Sequence, residues 1–278
     1  MKNPTYSRGV YAPFDATAIP LSNRSFFFGD AVYDVIIGRN KKLYQFDKHM
    51  LRIRQNANAV GLKISENDEE ILNIFSELCE LTNACEFMLY IQYSGVSNKR
   101  VHTRPETAAE LTMILTESFV SNKMTKISAT SFSDMRYGYC NIKTTNLLPS
   151  VLSMNKAKDN SADIAFFVRD NKITEASSAN IFLLKNGEFV TPTVNDGILK
   201  GITRDNLISF CNSENIKVNE RSVYFDELFD ADAVWITSTT RIMQLCTTLD
   251  EKRISKKAPD VLEVLFSKLY NDYLEKTE

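Results

Sequence analysis

Glycine is scarce in this chain, nine residues in 278, and the scarcity excludes a group of functions. Neither G-x-x-x-x-G-K-[ST] nor G-x-G-x-x-G occurs, so the usual nucleotide-phosphate loops are absent. There are two histidines, His49 and His102, far apart in sequence. The five cysteines (Cys79, Cys85, Cys140, Cys211, Cys246) show no paired spacing, so no metal site is expected. An odd number of scattered thiols suits a reducing cytoplasm. No apolar run approaches the roughly 18 residues that span a bilayer, and Met1 to Asp15 holds no apolar core of a secretory signal. The formal charge is −2 with no long basic run, which argues against nucleic acid or an anionic membrane as partner. What remains is an ordinary globular composition, 44% hydrophobic and 24% charged, in a length that suits one large domain or two of usual size.

In chain order, β-branched and aromatic residues predict a buried strand over Val32 to Ile37, preceded by a short helix. Gly38 to Lys41 reads as a hairpin turn and Lys42 to Phe46 as the returning strand. Asp47 reads as the cap of a helix that runs to about Val60 and stops at Gly61. Met50, Ile53, Ala57 and Val60 form its apolar face, with His49 and Arg52 on a neighbouring one. A second helix starts at Ser65 or Asn67, with Ile71, Leu72, Phe75, Leu78 and Leu81 facing a core. Strands at Glu86 to Ser94 and Leu111 to Leu115 flank a loop, Gly95 to Pro105, that carries Arg100 and His102.

The polar stretch after Glu117 reads as a linker. The expected organisation is α+β (mixed α/β): a small N-terminal domain at 1–118, a linker at 119–126 and a larger domain at 127–278. In the larger domain, strands are expected at Ile127 to Phe132, Ile164 to Val168, Lys172 to Glu175, Asn180 to Lys185, Ile216 to Ser222 and Ala233 to Thr237. Helices are expected at 147–159, from Thr203 as cap through Asn212, briefly at Phe225 to Phe229, and at Asp260 to Leu274 behind Pro259.

One lysine stands apart. Lys143 carries its amine among Ile142, Leu147, Leu148 and Pro149. Desolvation there disfavours the ammonium and frees a nucleophile. Six stretches then resemble, in order, one family: Phe28-Gly29-Asp30-Ala31-Val32-Tyr33-Asp34; His49-x-x-Arg52; Ile142-Lys143-x-x-Asn146-Leu147-Leu148-Pro149; Thr174-Glu175-Ala176-Ser177-Ser178-Ala179-Asn180; Ile198-Leu199-Lys200-Gly201-Ile202-Thr203-Arg204; and Thr237-Ser238-Thr239-Thr240. The family is the fold-type IV (class IV) pyridoxal-phosphate aminotransferases. It includes D-amino acid aminotransferases, branched-chain aminotransferases and aminodeoxychorismate lyase.

The resemblance implies a two-domain fold whose larger domain is a pseudo-barrel that binds pyridoxal 5'-phosphate. It makes Lys143 the Schiff-base lysine and the carrier of the transferred proton. It makes Glu175 the acidic partner of the pyridine nitrogen, whereas alone Glu175 would read as a surface carboxylate at a strand end. Arg52, the backbone N–H groups of Ile202 and Thr203, and the hydroxyls of Thr203 and Thr239 would hold the phosphate. Leu199 would pack on the ring.

Tyr33 with Arg100 and His102 resembles the carboxylate trap of the D-amino acid enzymes. That loop crosses a dimer interface in the family, which implies a homodimer with its active site shared across the interface, Arg100 and His102 serving the site of the partner. Ala31, Lys99 and Gln92-Tyr93-Ser94-Gly95 depart from the family pattern, and the spacing to Arg100 differs by about one residue. The expected activity is exchange of an amino group between an amino acid, D-alanine foremost, and a 2-oxo acid. A branched-chain aminotransferase and a 4-amino-4-deoxychorismate lyase are the alternatives.

Overall fold

The computed structural model describes residues 1–255 and 260–278; Pro259, expected ahead of the last helix, lies outside them. The chain forms two compact units. One comprises Met1–Phe119, Ile142–Asn146 and Tyr273–Glu278; the other comprises Val120–Asn141 and Leu147–Asp272. Compared with the division drawn from the sequence, two short pieces belong elsewhere. The segment around Lys143 and the C-terminal residues both pack with the first unit.

The first unit is built on an antiparallel sheet of β1 (Pro4–Ser7), β2 (Val10–Pro13), β3 (Ala31–Arg39), β4 (Lys42–Leu43), β5 (Glu86–Ser94) and β6 (Glu110–Glu117), in the order β2-β1-β6-β5-β3-β4. β3 and β5 pair along their whole lengths, from Ala31 opposite Ser94 to Arg39 opposite Glu86. Side chains alternate across a strand. One face therefore collects Val32, Asp34, Ile36 and Gly38 with Phe87, Leu89, Ile91 and Tyr93. The other collects Tyr33 and Val35 with Tyr90 and Gln92. The first face packs on α2 (Phe46–Ala59) and α3 (Asp68–Glu80) through Met50, Ile53, Ala57, Ile71, Phe75 and Leu78. A short helix, α1 (Ser25–Phe28), precedes β3 and ends on Gly29 in the left-handed region.

Several expectations are corrected here. The returning strand is only Lys42–Leu43, because the two-residue turn Asn40-Lys41, both at positive φ, is followed by left-handed Gln45. Gln45, not Asp47, is the N-cap of α2; Asp47 lies in the first turn, where its charge suits the helix dipole. Asn67 caps α3 in a reciprocal box with Glu70. Leu72 is exposed, one position off the stripe formed by Ile71, Phe75 and Leu78. The β1–β2 hairpin has no counterpart in the sequence reading.

In the second unit, β7 (Thr125–Ser133), β8 (Ile164–Arg169), β9 (Lys172–Ala176), β10 (Asn180–Lys185), β11 (Glu188–Thr191), β12 (Val218–Glu220), β13 (Val223–Tyr224), β14 (Ala233–Ser238) and β15 (Ile242–Leu249) form a mixed sheet ordered β12-β11-β10-β14-β15-β7-β8-β9-β13, with β16 (Lys252–Arg253) beside β15. The Ala176 N–H donates to the Ala179 carbonyl at 2.8 Å, so β9 meets β10 again across a tight turn. The strands between them curl round a core of Ile127, Phe166, Ile173, Ile181, Val234 and Ile236. Helices α4 (Leu148–Asp159) and α5 (Ile202–Ser213) pack on β8 and β14, respectively. α6 (Asp260–Lys276) runs two residues beyond its expected end. β11 and β15 went unread in the sequence.

A Cβ at Gly38 would stand 2.3 Å from Phe87 Cε2 and 2.5 Å from the Lys42 carbonyl. Gly38→Ala is expected to destabilise the fold by about 1–3 kcal/mol through overpacking, measured by urea unfolding. Adding Phe87→Leu should recover part of that loss.

Candidate functional site

Residues 142–146 lie against the start of β3. The Tyr33 N–H donates to the Lys143 carbonyl at 3.0 Å, Thr145 N–H to the Ala31 carbonyl at 3.2 Å, and Val32 bridges Thr144 in antiparallel sense. Asn146 Nδ2 donates to the Gly29 carbonyl at 2.9 Å. A Cβ at Gly29 would fall 2.2 Å from Asn146 Oδ1, and its φ of +59° is one that glycine takes without strain. The two motifs Phe28-Gly29-Asp30 and Lys143-x-x-Asn146 thus interlock. The result sets Lys143 Nζ 4.4 Å from the centroid of the Tyr33 ring. No carboxylate pairs with this amine among the described residues. Tyr33 itself is stacked on Tyr90 at 5.3 Å, and Tyr90 is fixed by donating to Gln92 Oε1 at 2.5 Å.

One step along β3, Asp34 points the other way, into the core. It is fully buried and receives Arg52 Nε at 2.8 Å, Arg52 Nη2 at 2.7 Å and the Val35 N–H at 2.7 Å. His49 Nδ1 lies 3.1 Å from Asp34 Oδ1. Burial alone would raise the Asp34 pKa; the charge of Arg52 and the hydrogen bonds from Arg52 and His49 outweigh it and hold the carboxyl far below its usual range. Burial lowers the proton affinity of His49, so the imidazole is neutral and its Nδ1–H donates to the carboxylate. Arg52 is thereby locked in one orientation at the surface of α2.

Arg100 and His102 stand on the exposed loop after β5. The Arg100 guanidinium lies over the rings of Phe27 (5.7 Å) and Phe28 (5.3 Å), and His102 contacts Phe28 at 5.4 Å between centroids. No acid pairs with Arg100 among the described residues. Arg104, by contrast, is committed to Asp30.

In the second unit, Glu175 is buried at the end of β9. Its carboxylate pairs with Arg136, and it accepts the Leu199 N–H at 3.2 Å. Asn180 Nδ2 lies 3.4 Å from Glu175 and donates to the Leu199 carbonyl at 2.8 Å. Arg136 also donates to Asp134 from Nε (2.9 Å) and Nη2 (2.8 Å), and Arg169 adds a second cation at 2.9 Å. Asp134 and Arg136 were not singled out in the sequence. The available signal was an acid and a base two residues apart just past a strand.

α5 begins at Ile202 with Gly201 as N-cap and no side-chain cap, so Thr203 sits in its first turn instead of capping it. The N–H groups of that turn are left to an external acceptor. A Cβ at Gly201 would lie 2.1 Å from Asn180 Oδ1, which restricts the position to glycine. On β14, against which α5 packs, Thr237 Oγ1 and Ser238 Oγ are buried without a hydrogen-bond partner. Thr239, half-buried, follows directly. Uncapped N–H groups, orphaned hydroxyls and a glycine cradle fit a phosphate; a buried, oriented carboxylate fits a protonated pyridine nitrogen; a lysine without an acid partner fits an aldehyde.

Three of the cysteines are not nucleophiles: burial pushes the Cys79 thiol up to about 11 and those of Cys211 and Cys246 up to about 12. Among the described residues no cluster of metal-ligating side chains occurs, and no helix is long and apolar enough to cross a membrane.

The family described as amino-transferase class IV matches residues 31–247. A D-alanine aminotransferase of Bacillus licheniformis is 34% identical over 251 residues, 88% of each chain. Two solved structures share the fold. One is a branched-chain aminotransferase of Thermoproteus uzoniensis, with a TM-score of 0.91 and 20% identity over 100% of this chain and 97% of that one. The other is a putative 4-amino-4-deoxychorismate lyase of Legionella pneumophila, with a TM-score of 0.86 and 24% identity over 92% of this chain and 96% of that one.

Asp34 titrates near ~3.9 in an unfolded chain and lower in the fold. Its ionic contacts therefore stabilise fully above that pH and progressively less below it. Asp34→Asn should cost about 3–5 kcal/mol at pH 7, since it removes the buried carboxylate that faces the Arg52 guanidinium. In urea unfolding, the gap from the parent protein should narrow as pH falls below about 4.

Proposed function

The chain is an enzyme of the class IV aminotransferase family, and we propose that it moves an amino group between a D-amino acid and a 2-oxo acid with pyridoxal 5'-phosphate as cofactor. Class IV aminotransferases use that cofactor in general. The observation that carries the reading is Lys143: an amine laid over Tyr33 at 4.4 Å and paired with no acid among the described residues. D-Alanine is the substrate to try first, because the similar Bacillus licheniformis protein is named for it.

When bound, pyridoxal 5'-phosphate supplies an aldehyde for the amine and a ring that accepts the electrons of the substrate's Cα–H bond. The residues of this chain supply the rest. Lys143 Nζ would hold the cofactor at its aldehyde carbon and would be the group that takes and returns the substrate's Cα proton. Tyr33 keeps that amine over its ring face. Glu175 would hold the pyridine nitrogen and keep it protonated, its carboxylate fixed in place by Arg136, Asn180 and the Leu199 N–H. The phosphate is assigned to the N–H groups of Ile202 and Thr203, to the hydroxyls of Thr203 and Thr239, and to the Arg52 guanidinium that Asp34 orients. Leu199 packs on the ring. Tyr33 receives the substrate carboxylate together with Arg100 and His102 reaching across the dimer interface from the other subunit; an exposed guanidinium without an acid partner among the described residues supports this.

The two compact units correspond in this reading to the small and large domains of the family. The protein acts as a cytoplasmic homodimer; five free cysteines and the exposed Leu21 (69%) and Phe26 (68%) support that assignment. A lyase acting on 4-amino-4-deoxychorismate would use the same residues but release pyruvate without an amino acceptor.

Lys143→Ala should abolish the cofactor's absorbance band near the visible edge and reduce turnover about 10³-fold or more. The parent protein should lose that band on mixing with D-alanine but not with L-leucine or L-glutamate. Loss of the band with either L-amino acid alone would replace the D-amino acid reading with a branched-chain one. Pyruvate release from aminodeoxychorismate would replace it with the lyase.

A further inference from the structure

The loop that carries Arg100 and His102 is exposed at every residue from 98 to 103, yet its backbone is gripped from beneath. Arg24 is 5% exposed. Its Nη1 donates to the carbonyl of Val101 at 2.6 Å and reaches that of Thr103 at 3.4 Å, while Nη2 donates to His102 at 2.9 Å. One buried guanidinium thus collects three successive carbonyls of an exposed loop. Its remaining nitrogen, Nε, donates to Asp30 Oδ2 at 2.6 Å. Asp30 also receives Arg104, whose Nη1 donates to the Val60 carbonyl at the end of α2 at 2.8 Å. A Cβ at Gly95 would lie 2.7 Å from Asp30 Oδ2, so glycine is what lets the carboxylate approach the strand end. Burial would raise the Asp30 pKa, but the two arginines outweigh it and keep the carboxyl ionised. Arg24 also lies over the Phe28 ring at 4.7 Å, the ring that Arg100 and His102 share.

We propose that Arg24 and Asp30 are positioning residues for substrate binding, holding the 97–104 loop by its carbonyls so that Arg100 and His102 are presented in one orientation. The proposal rests on the reading of that loop as the carboxylate-binding element. Five guanidinium N–H donors in a fixed fork suit the task, because they hold three acceptors and an acid at once. A lysine would keep the charge opposite Asp30 but could not span three carbonyls.

The test compares Arg24→Lys and Asp30→Asn with Arg100→Ala in the cofactor-loaded protein. Expected for Arg24→Lys is a KM for D-alanine raised about tenfold, the loss of one to two charge-assisted hydrogen bonds. The kcat should stay within about twofold and the cofactor absorbance should not change. Hydrogen exchange at the amides of residues 98–103 should quicken in both Arg24→Lys and Asp30→Asn, a readout independent of turnover. If Arg100→Ala raises KM while neither other variant does, the inference is overturned and the loop's role in substrate binding stands. If Arg100→Ala leaves KM unchanged, that role falls, and the proposed link to substrate falls with it. Lowered thermal stability with unchanged KM and unchanged exchange in the loop would likewise overturn the inference.

Discussion

The pairing of residues 142–146 with the first three residues of β3 is the constraint from which the arrangement of the first unit follows. Lys143 has no helix or long strand of its own. It is held by two backbone hydrogen bonds to Ala31 and Tyr33 and by Asn146 on Gly29. That edge of β3 is available because β4 is only two residues long and pairs at the far end, with Gly38 and Arg39. A longer β4 would occupy the backbone groups that receive the lysine segment. Once the register is set, strand alternation separates the chemistry. Tyr33 faces the amine, and Asp34 turns into the core to take Arg52 and His49.

Four buried or half-buried acids are matched by guanidinium groups in three clusters: Asp34 by Arg52, Asp30 by Arg24 and Arg104, and Glu175 with Asp134 by Arg136 and Arg169. Such pairs add little net stability, since desolvation roughly offsets the attraction, but breaking one is costly. Their value is geometric. A bidentate pair fixes both partners in one plane, which an apolar contact of equal size does not do. In each case the pair adjoins a residue assigned a role in the reaction: Arg52 itself, the Arg100 and His102 loop, and Glu175. Orientation of charge is where the fold places its buried polar groups.

Much of this was legible in the sequence, and the failures have physical causes. The strands β3, β5 and β10 were found because each joins β-branched or aromatic residues to a clear turn. β15 was missed because its Ile-Met-Gln-Leu-Cys-Thr-Thr-Leu lacks strict alternation and it is buried on both sides, parallel to β7. The helix starts at Gln45 and Gly201 were misplaced onto Asp47 and Thr203, because neither true cap uses a side chain. The Lys143, Arg52 and Glu175 motifs were visible as patterns. Asp34, Arg24 and Asp30 lay inside or beside those patterns without a role, because a carboxylate that serves an arginine looks in sequence like any other carboxylate.

The loop after β5 departs from the resembled pattern in its side chains, and the grip on its backbone does not depend on them. The spacing from Gly95 to Arg100 differs by about one residue from the pattern the sequence resembles, and Lys99 stands where proline is common. Those differences fall upstream of the grip. Ser97 Oγ donates to the Lys99 carbonyl at 2.9 Å, and the Val101 N–H reaches the same carbonyl at 3.0 Å, so a tight turn precedes the gripped residues. Arg24 binds carbonyl oxygens, which every residue type presents alike. Side-chain changes before residue 101 therefore leave its three acceptors available. If Arg24 orients Arg100 and His102 as proposed, it does so through a contact that does not read sequence, so the composition of the loop can drift while that contact is kept.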